Sequence, residues 1–116
     1  MQIIGCAIEV HRTLGPGLLE SAYQQCLAHE FQLQGVSFVM EEPVSVTYKE
    51  VTLDCGYRLD FLVDGKVIIE LKSVEKIMGI HQAQLLTYMK LAKVERGLLI
   101  NFNTPRLVDG IKRFRL

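Results

Sequence analysis

Apolar residues in the first third of the chain recur at intervals of three and four. Ile3, Ile4, Ala7, Ile8, Val10 and Leu14 fall on one stripe, which predicts a helix over residues 3–14. Gly15-Pro16-Gly17 breaks it and opens the next helix. Leu19, Ala22, Tyr23, Cys26, Leu27 and Leu33 continue the same spacing, so residues 17–34 read as a second helix, closed by Gly35. The pattern then changes to strand chemistry. Val36, Phe38, Val44, Val46 and Tyr48 mark a strand over 36–48, with Pro43 signalling an edge or a kink. Residues 51–63 and 66–74 form two more strands around Asp64-Gly65, a pair of residues suited to a tight hairpin turn. A third helix spans roughly 80–92 after Gly79, and Gly97 to Phe102 reads as a buried strand. The alternating tail from Gly110 to Leu116 suits an edge strand.

The order is α-α-β-β-β-α-β-(β). A hairpin followed by a helical crossover gives a central mixed β-sheet flanked by helices, an α/β (α+β) architecture. The 116 residues fit one domain, residues 1–116, and a 49% hydrophobic composition supplies a core. The Met1-Gln2-Ile3-Ile4 start runs straight into helical periodicity, so it reads as part of the fold rather than as a leader. The uncharged apolar runs are only a few residues long, which points away from a membrane. Cys6, Cys26 and Cys55 are odd in number and lack the spacing of a zinc site. Thiols packed as small hydrophobes in a reducing cytoplasm fit them better.

Thirteen basic residues balance thirteen acidic ones. That argues against nonspecific coating of nucleic acid, which favours a basic chain, but leaves room for a local basic rim. Arg106, Lys112, Arg113 and Arg115 could form such a rim, or could guard an exposed edge strand.

The informative charges lie inside the apolar run Val67-Ile68-Ile69-Glu70-Leu71-Lys72. Side chains two apart in a strand share a face, so Glu70, Lys72 and Ile68 point one way. On the preceding strand Arg58, Asp60 and Leu62 share a face by the same rule. Asp60 and Glu70 stand at nearly equal distances from the turn, so they lie opposite or diagonal across the hairpin. Two facing carboxylates repel unless something positive sits with them, either Lys72 or a metal ion. A hard divalent cation such as magnesium suits this oxygen-rich set, with Lys72 beside it to orient water or meet phosphate charge. That chemistry suits phosphodiester hydrolysis.

Other polar residues interrupt the apolar stripes. Glu20 and Tyr23 are three apart on the second helix; Gln84 and Tyr88 are four apart on the third. Each has a plainer reading. Glu70 and Lys72 alone could be a surface ion pair, and Glu20 could favour its helix dipole. Gln84 could satisfy a sheet carbonyl, and the tyrosines could be packing residues. His11, on the first helix's apolar stripe, reads as a packed imidazole. His81 opens the third helix, near where a phosphate would approach. Glu41-Glu42 reads as a solvated loop pair.

Asp60 followed by Glu70-Leu71-Lys72, between strands and before a helix, resembles the PD-(D/E)XK nuclease superfamily. Gly17-Leu18-Leu19-Glu20-Ser21-Ala22-Tyr23 resembles the signature of its GxxExxY family. The run from Val10 to Gly17, the stretch Gln84 to Tyr88 and the stretch Gly97 to Phe102 are similar to that family as well, so the resemblance covers nearly the whole chain. It implies a restriction-endonuclease-like core with its site where two central strands diverge. Asp60 and Glu70 would ligate Mg2+ or Mn2+, with Glu20 completing the acidic cluster. Lys72 would position the attacking water. Gln84 and Tyr88 match a QxxxY element that lines the site. With Tyr23 and Arg113 they complete the expected set, Gln84 beside the reacting groups and Tyr88, Tyr23 and Arg113 toward substrate. Leu59 stands where the proline of the motif's name would be. The implied partner is nucleic acid, DNA ahead of RNA, with a homodimer as a possible assembly. The alternative is a non-catalytic interaction module on the same fold.

Overall fold

The computed structural model describes residues 2–116. Helices α1 (Gln2–Leu14) and α2 (Glu20–Leu33) precede strands β1 (Phe38–Tyr48), β2 (Val51–Val63) and β3 (Val67–Lys72). Helix α3 (Gly79–Ala92) crosses to β4 (Arg96–Asn101), and a short 3-10 turn (Leu107–Gly110) leads into β5 (Ile111–Arg115). The five strands lie in the order β1-β2-β3-β4-β5. The β3–β4 pair is parallel and the other pairs are antiparallel. The sheet is mixed and the class is α+β, in keeping with a restriction-endonuclease-like fold. Among the described residues no helix is long and apolar enough to cross a membrane.

Apolar periodicity explains the layering. Ile69 and Leu71 of β3 and Leu98 and Ile100 of β4 face α1 and α2, where they meet Ile3, Ala7, Val10, Leu27 and Phe31. Alternate residues Ile68 and Leu99 face the other way, against Leu85, Tyr88 and Met89 of α3. A central strand buried on both faces carries a continuous apolar run, which is why β3 reads Val-Ile-Ile. Gly97 allows α3 to sit close. A Cβ there would meet the Met89 sulfur at 2.7 Å. The β2–β3 connection is three residues long, since Val63 pairs with Val67, and it has positive φ at both Asp64 (53°) and Gly65 (64°).

Several boundaries differ from the sequence expectation. Helix α2 starts at Glu20 rather than at residue 17, because Gly17 has φ of 103° and Leu19 is extended. Strand β3 ends at Lys72, two residues early, because side-chain hydrogen bonds to Leu18 and Asn101 draw Ser73 and Val74 away from the ladder. Glu41 and Glu42 are not a loop pair; they lie within β1, where Glu42 pairs with Leu59. Strands β1 and β2 are about twice as long as β3, so their far end forms a ribbon whose Tyr48, Val51 and Leu53 are exposed.

Candidate active site

The β2–β3 ladder runs through Val63–Val67, Leu62–Ile68 and Phe61–Ile69, then stops at Asp60 and Glu70. Leu59 packs with the α3 layer, whereas Phe61 packs with the α1–α2 layer. Two residues apart would normally share a face, so the alternation breaks at Asp60. The expectation that Arg58 shares the face of Asp60 therefore fails. Arg58 bonds Asp54 on its own strand instead, at 3.3 Å.

Where the ladder stops, side chains take its place. The Asp60 amide donates to Glu70 Oε1 at 3.1 Å. The Leu71 amide donates to Asp60 Oδ2 at 2.8 Å. Each carboxylate is held by the backbone of the opposite strand, so the strands part while the carboxylates stay together.

This placement is costly for two charges. Burial, then the neighbouring Asp60 charge, push the Glu70 carboxyl up to about 9. Burial also raises Asp60, with the charges of Glu41 and Glu20 adding to the effect. Lys72 opposes the shift at Glu70 through its charge. It forms no ion pair with either carboxylate; the ion pairs among the described residues join Arg12 to Glu9, Arg58 to Asp54 and Lys66 to Asp64. Tyr88 is raised by burial first and by the Glu70 charge second, which puts its phenol within reach of the site's field. Gln84 lies exposed beside it and donates to the Tyr88 hydroxyl at 3.1 Å.

Helix α2 closes the site from the other side. Glu20 Oε2 accepts the Ser73 amide at 3.2 Å, so this carboxylate is tied to the chain just past Lys72. Gln24 donates to Glu41 Oε1 at 2.8 Å and to the Asp60 carbonyl at 3.3 Å, joining α2 to β1 and β2. Asn101, paired in register with Lys72, accepts the amides of Val74 and Asn103 and donates to the Val74 carbonyl. It pins the segment that leaves β3.

Asp60, Glu70, Lys72, Glu20, Gln84 and Tyr88 thus gather around one end of β3. Two expected residues do not join them. Tyr23 is wholly buried: its hydroxyl donates to the Gly15 carbonyl at 2.5 Å and accepts the Leu18 amide at 3.1 Å, and its ring stacks on Phe102 at 4.3 Å. It shapes the entry to α2 and has no surface for substrate. Arg113 pairs with Leu98, which faces α1 and α2, whereas Glu70 pairs with Leu99, which faces α3. The sheet separates them. His11 is packed, with Nε2 2.8 Å from the Thr104 carbonyl, and His81 accepts the Met78 amide at the start of α3. Sequence reasoning missed Glu41, Gln24 and Asn101. Only Gln24 carried a signal, four residues after Glu20 on the same helical face.

The donor set fits a hard divalent cation in kind. Asp60 and Glu70 are both carboxylates, the oxygen donors such a cation takes, and burial raises the pKa of each. Among the described residues no three His, Cys, Asp or Glu side chains stand close enough to hold a metal. An ion here would rest on Asp60 and Glu70, with positions left for water or phosphate.

A mixed sheet whose central strands part around an Asp and a Glu-x-Lys defines a nuclease-type α+β protein. The PD-(D/E)XK nuclease superfamily model matches residues 1–114, and the chain belongs to that superfamily. Nucleases of this superfamily generally use divalent metals. No curated protein and no solved structure matches the chain.

Proposed function

We propose that residues 1–116 act as one nuclease domain that hydrolyses phosphodiester bonds with Mg2+ or Mn2+. The observation that carries this reading is the reciprocal bonding of Asp60 and Glu70 at the strand break, with Lys72 two residues on. Asp60 and Glu70 would hold the cation, which supplies charge to the phosphate and a more acidic water. Lys72 would orient that water and meet negative charge developing on phosphate. Glu20 holds the Ser73 amide and so fixes the backbone next to Lys72; from there its charge adds to the acidic field at Asp60. Gln84 and Tyr88, bonded to each other, would position the substrate. DNA is the substrate to test before RNA. The free thiols of Cys6, Cys26 and Cys55 support a reducing cytoplasm. The exposed apolar ribbon of β1 and β2 would serve a homodimer. Manganese-dependent cleavage of a mixed DNA substrate tests the reading, with Asp60→Asn as the control. Equal cleavage by both proteins would sink it.

The second reading is a non-catalytic interaction module. The exposed apolar ribbon of β1 and β2 favours it. Partner binding that survives Glu70→Gln with Lys72→Met, in a protein that cuts nothing, would support it.

A further inference from the structure

Arg96 and Arg115 stand directly opposite each other on β4 and β5. Arg113, two residues from Arg115, lies opposite Leu98 on the same face. Like charges directly opposite in an antiparallel pair repel and destabilise it. Among the described residues none of the three guanidiniums forms an ion pair; even Glu95, next to Arg96 in sequence, forms none with it. The three line a cleft of about 270 Å³ with Val67, Leu98 and Phe114.

Edge protection does not account for this cluster. Basic residues on β5, an outer strand, would discourage strand pairing. Arg96 is on β4, which has neighbours on both sides, so it guards no edge. Among the described residues its charge has no ion-pair partner to offset the like charge opposite. An anion held between the three guanidiniums would turn that repulsion into charge-assisted hydrogen bonds, for which the planar arginine fork suits phosphate.

We propose that Arg96, Arg113 and Arg115 form a phosphate-binding cleft, separate from the carboxylate site and on the opposite face of the sheet. Its ligand is a phosphate group, from a nucleic-acid backbone or from a free phosphorylated molecule, with the apolar floor of Val67 and Leu98 against the rest. The site does not rest on the nuclease reading, because its residues touch neither Asp60 nor Glu70.

The test uses the full chain in EDTA, so that no metal at the carboxylates can hold phosphate. Sodium pyrophosphate and a fluorescein-labelled 12-nucleotide single strand are titrated at matched ionic strength. The proteins are the wild type, Arg96→Ser with Arg113→Ser, Lys112→Ser and Asp60→Asn. Loss of about tenfold or more in affinity in the double variant, with Lys112→Ser and Asp60→Asn near wild type, is the expected result. Tighter binding of the oligonucleotide than of pyrophosphate assigns the cleft to a backbone; equal binding assigns it to a free phosphate. A second readout needs no ligand. Arg115→Ser should raise the Tm by relieving its repulsion with Arg96. Failure of wild type to bind either probe, or equal binding by wild type and the double variant, would overturn the proposal. Loss of cleavage in Asp60→Asn with anion binding intact would separate the two sites.

Discussion

Asp60 and Glu70 are latched to each other's strands. The Asp60 amide donates to the Glu70 carboxylate, and the amide after Glu70 donates to the Asp60 carboxylate. The groups suited to hold a metal are therefore also the groups that close the sheet where its ladder ends. Substitutions here act on stability and chemistry at once, and the two effects can be separated by choice of side chain.

Asp60→Asn keeps an oxygen for the Leu71 amide and removes one charge from a repelling pair. Asp60→Ala leaves that amide without its partner, at a cost of about 1–3 kcal/mol. With Asp60 as the proposed ligand, metal-dependent cleavage should fall by about 100-fold or more in both, since a direct ligand matters more than the outer partners that cost about 10–100-fold. Thermal unfolding should separate them: the Tm of Asp60→Asn stays near wild type or rises, and that of Asp60→Ala falls. A common drop in Tm would show that the latch depends on charge rather than on the hydrogen bond.

The residues that made this pair legible in the sequence were local. Asp64-Gly65 places the turn, and counting back from it leaves Asp60 opposite or diagonal to Glu70; Lys66, the third residue of the connection, sets the register that makes them face. The helices were legible from their apolar stripes. What could not be read was anything set by register between distant strands or by broken alternation. Arg113 faces away from the carboxylates only because β5 pairs with β4 as Arg113 to Leu98. Glu41 approaches Asp60 because β1 pairs with β2 as Met40 to Phe61 and Glu42 to Leu59, a register that no apolar pattern announces. Asn101 lies within the stretch Gly97 to Phe102 that reads as a buried strand, and its role depends on where Val74 passes.

The raised Glu70 carboxyl predicts how stability varies with pH in the metal-free protein. Its folded value is about 9, above the ordinary 4.5. The folded state therefore holds a proton that the unfolded state has released. The stabilisation is complete below about 4.5 and is lost as pH rises toward and through 9. Denaturant unfolding in EDTA should show stability falling across that window, and Glu70→Gln should flatten the fall. A cation held by Glu70, as proposed, would displace the same proton, so its apparent affinity should rise by up to about tenfold per pH unit within the window. Calorimetric titrations with manganese from pH 6 to 8 check this (about two units inside the window). A pH-independent affinity would mean that the ion does not displace that proton.

Tyr23→Phe separates a shaping role from contact with substrate. The ring and its stacking on Phe102 remain, but the Leu18 amide and the Gly15 carbonyl lose their shared partner. The expected cost is about 1–3 kcal/mol of stability. Binding of an oligonucleotide should be unchanged at temperatures where the protein stays folded. Anisotropy titration beside thermal unfolding reads both, and weakened binding without loss of stability would return Tyr23 to the substrate surface.

Asn101 governs the path of the chain beyond Lys72. Its side chain makes three hydrogen bonds, two to Val74 and one to the Asn103 amide, and only 3% of its surface is exposed. Asn101→Ala breaks all three and releases the chain that leaves β3. Asn101→Asp keeps the two accepted bonds and sets a carboxylate oxygen against the Val74 carbonyl. Both should lose stability, by about 1 kcal/mol or more, because buried backbone groups go unpaired. The exit of β3 positions Lys72, whose carbonyl also accepts the Phe102 amide at 2.9 Å. With freedom there, the proposed nuclease would lose more in kcat than in KM, since Lys72 would leave the place where it is proposed to orient water while Gln84 and Tyr88 on α3 would stay. Metal affinity should hold near wild type, because Asp60 and Glu70 are latched to each other and not to Asn101. A matched loss of metal affinity and kcat would show that the exit segment supports the carboxylates as well as the lysine.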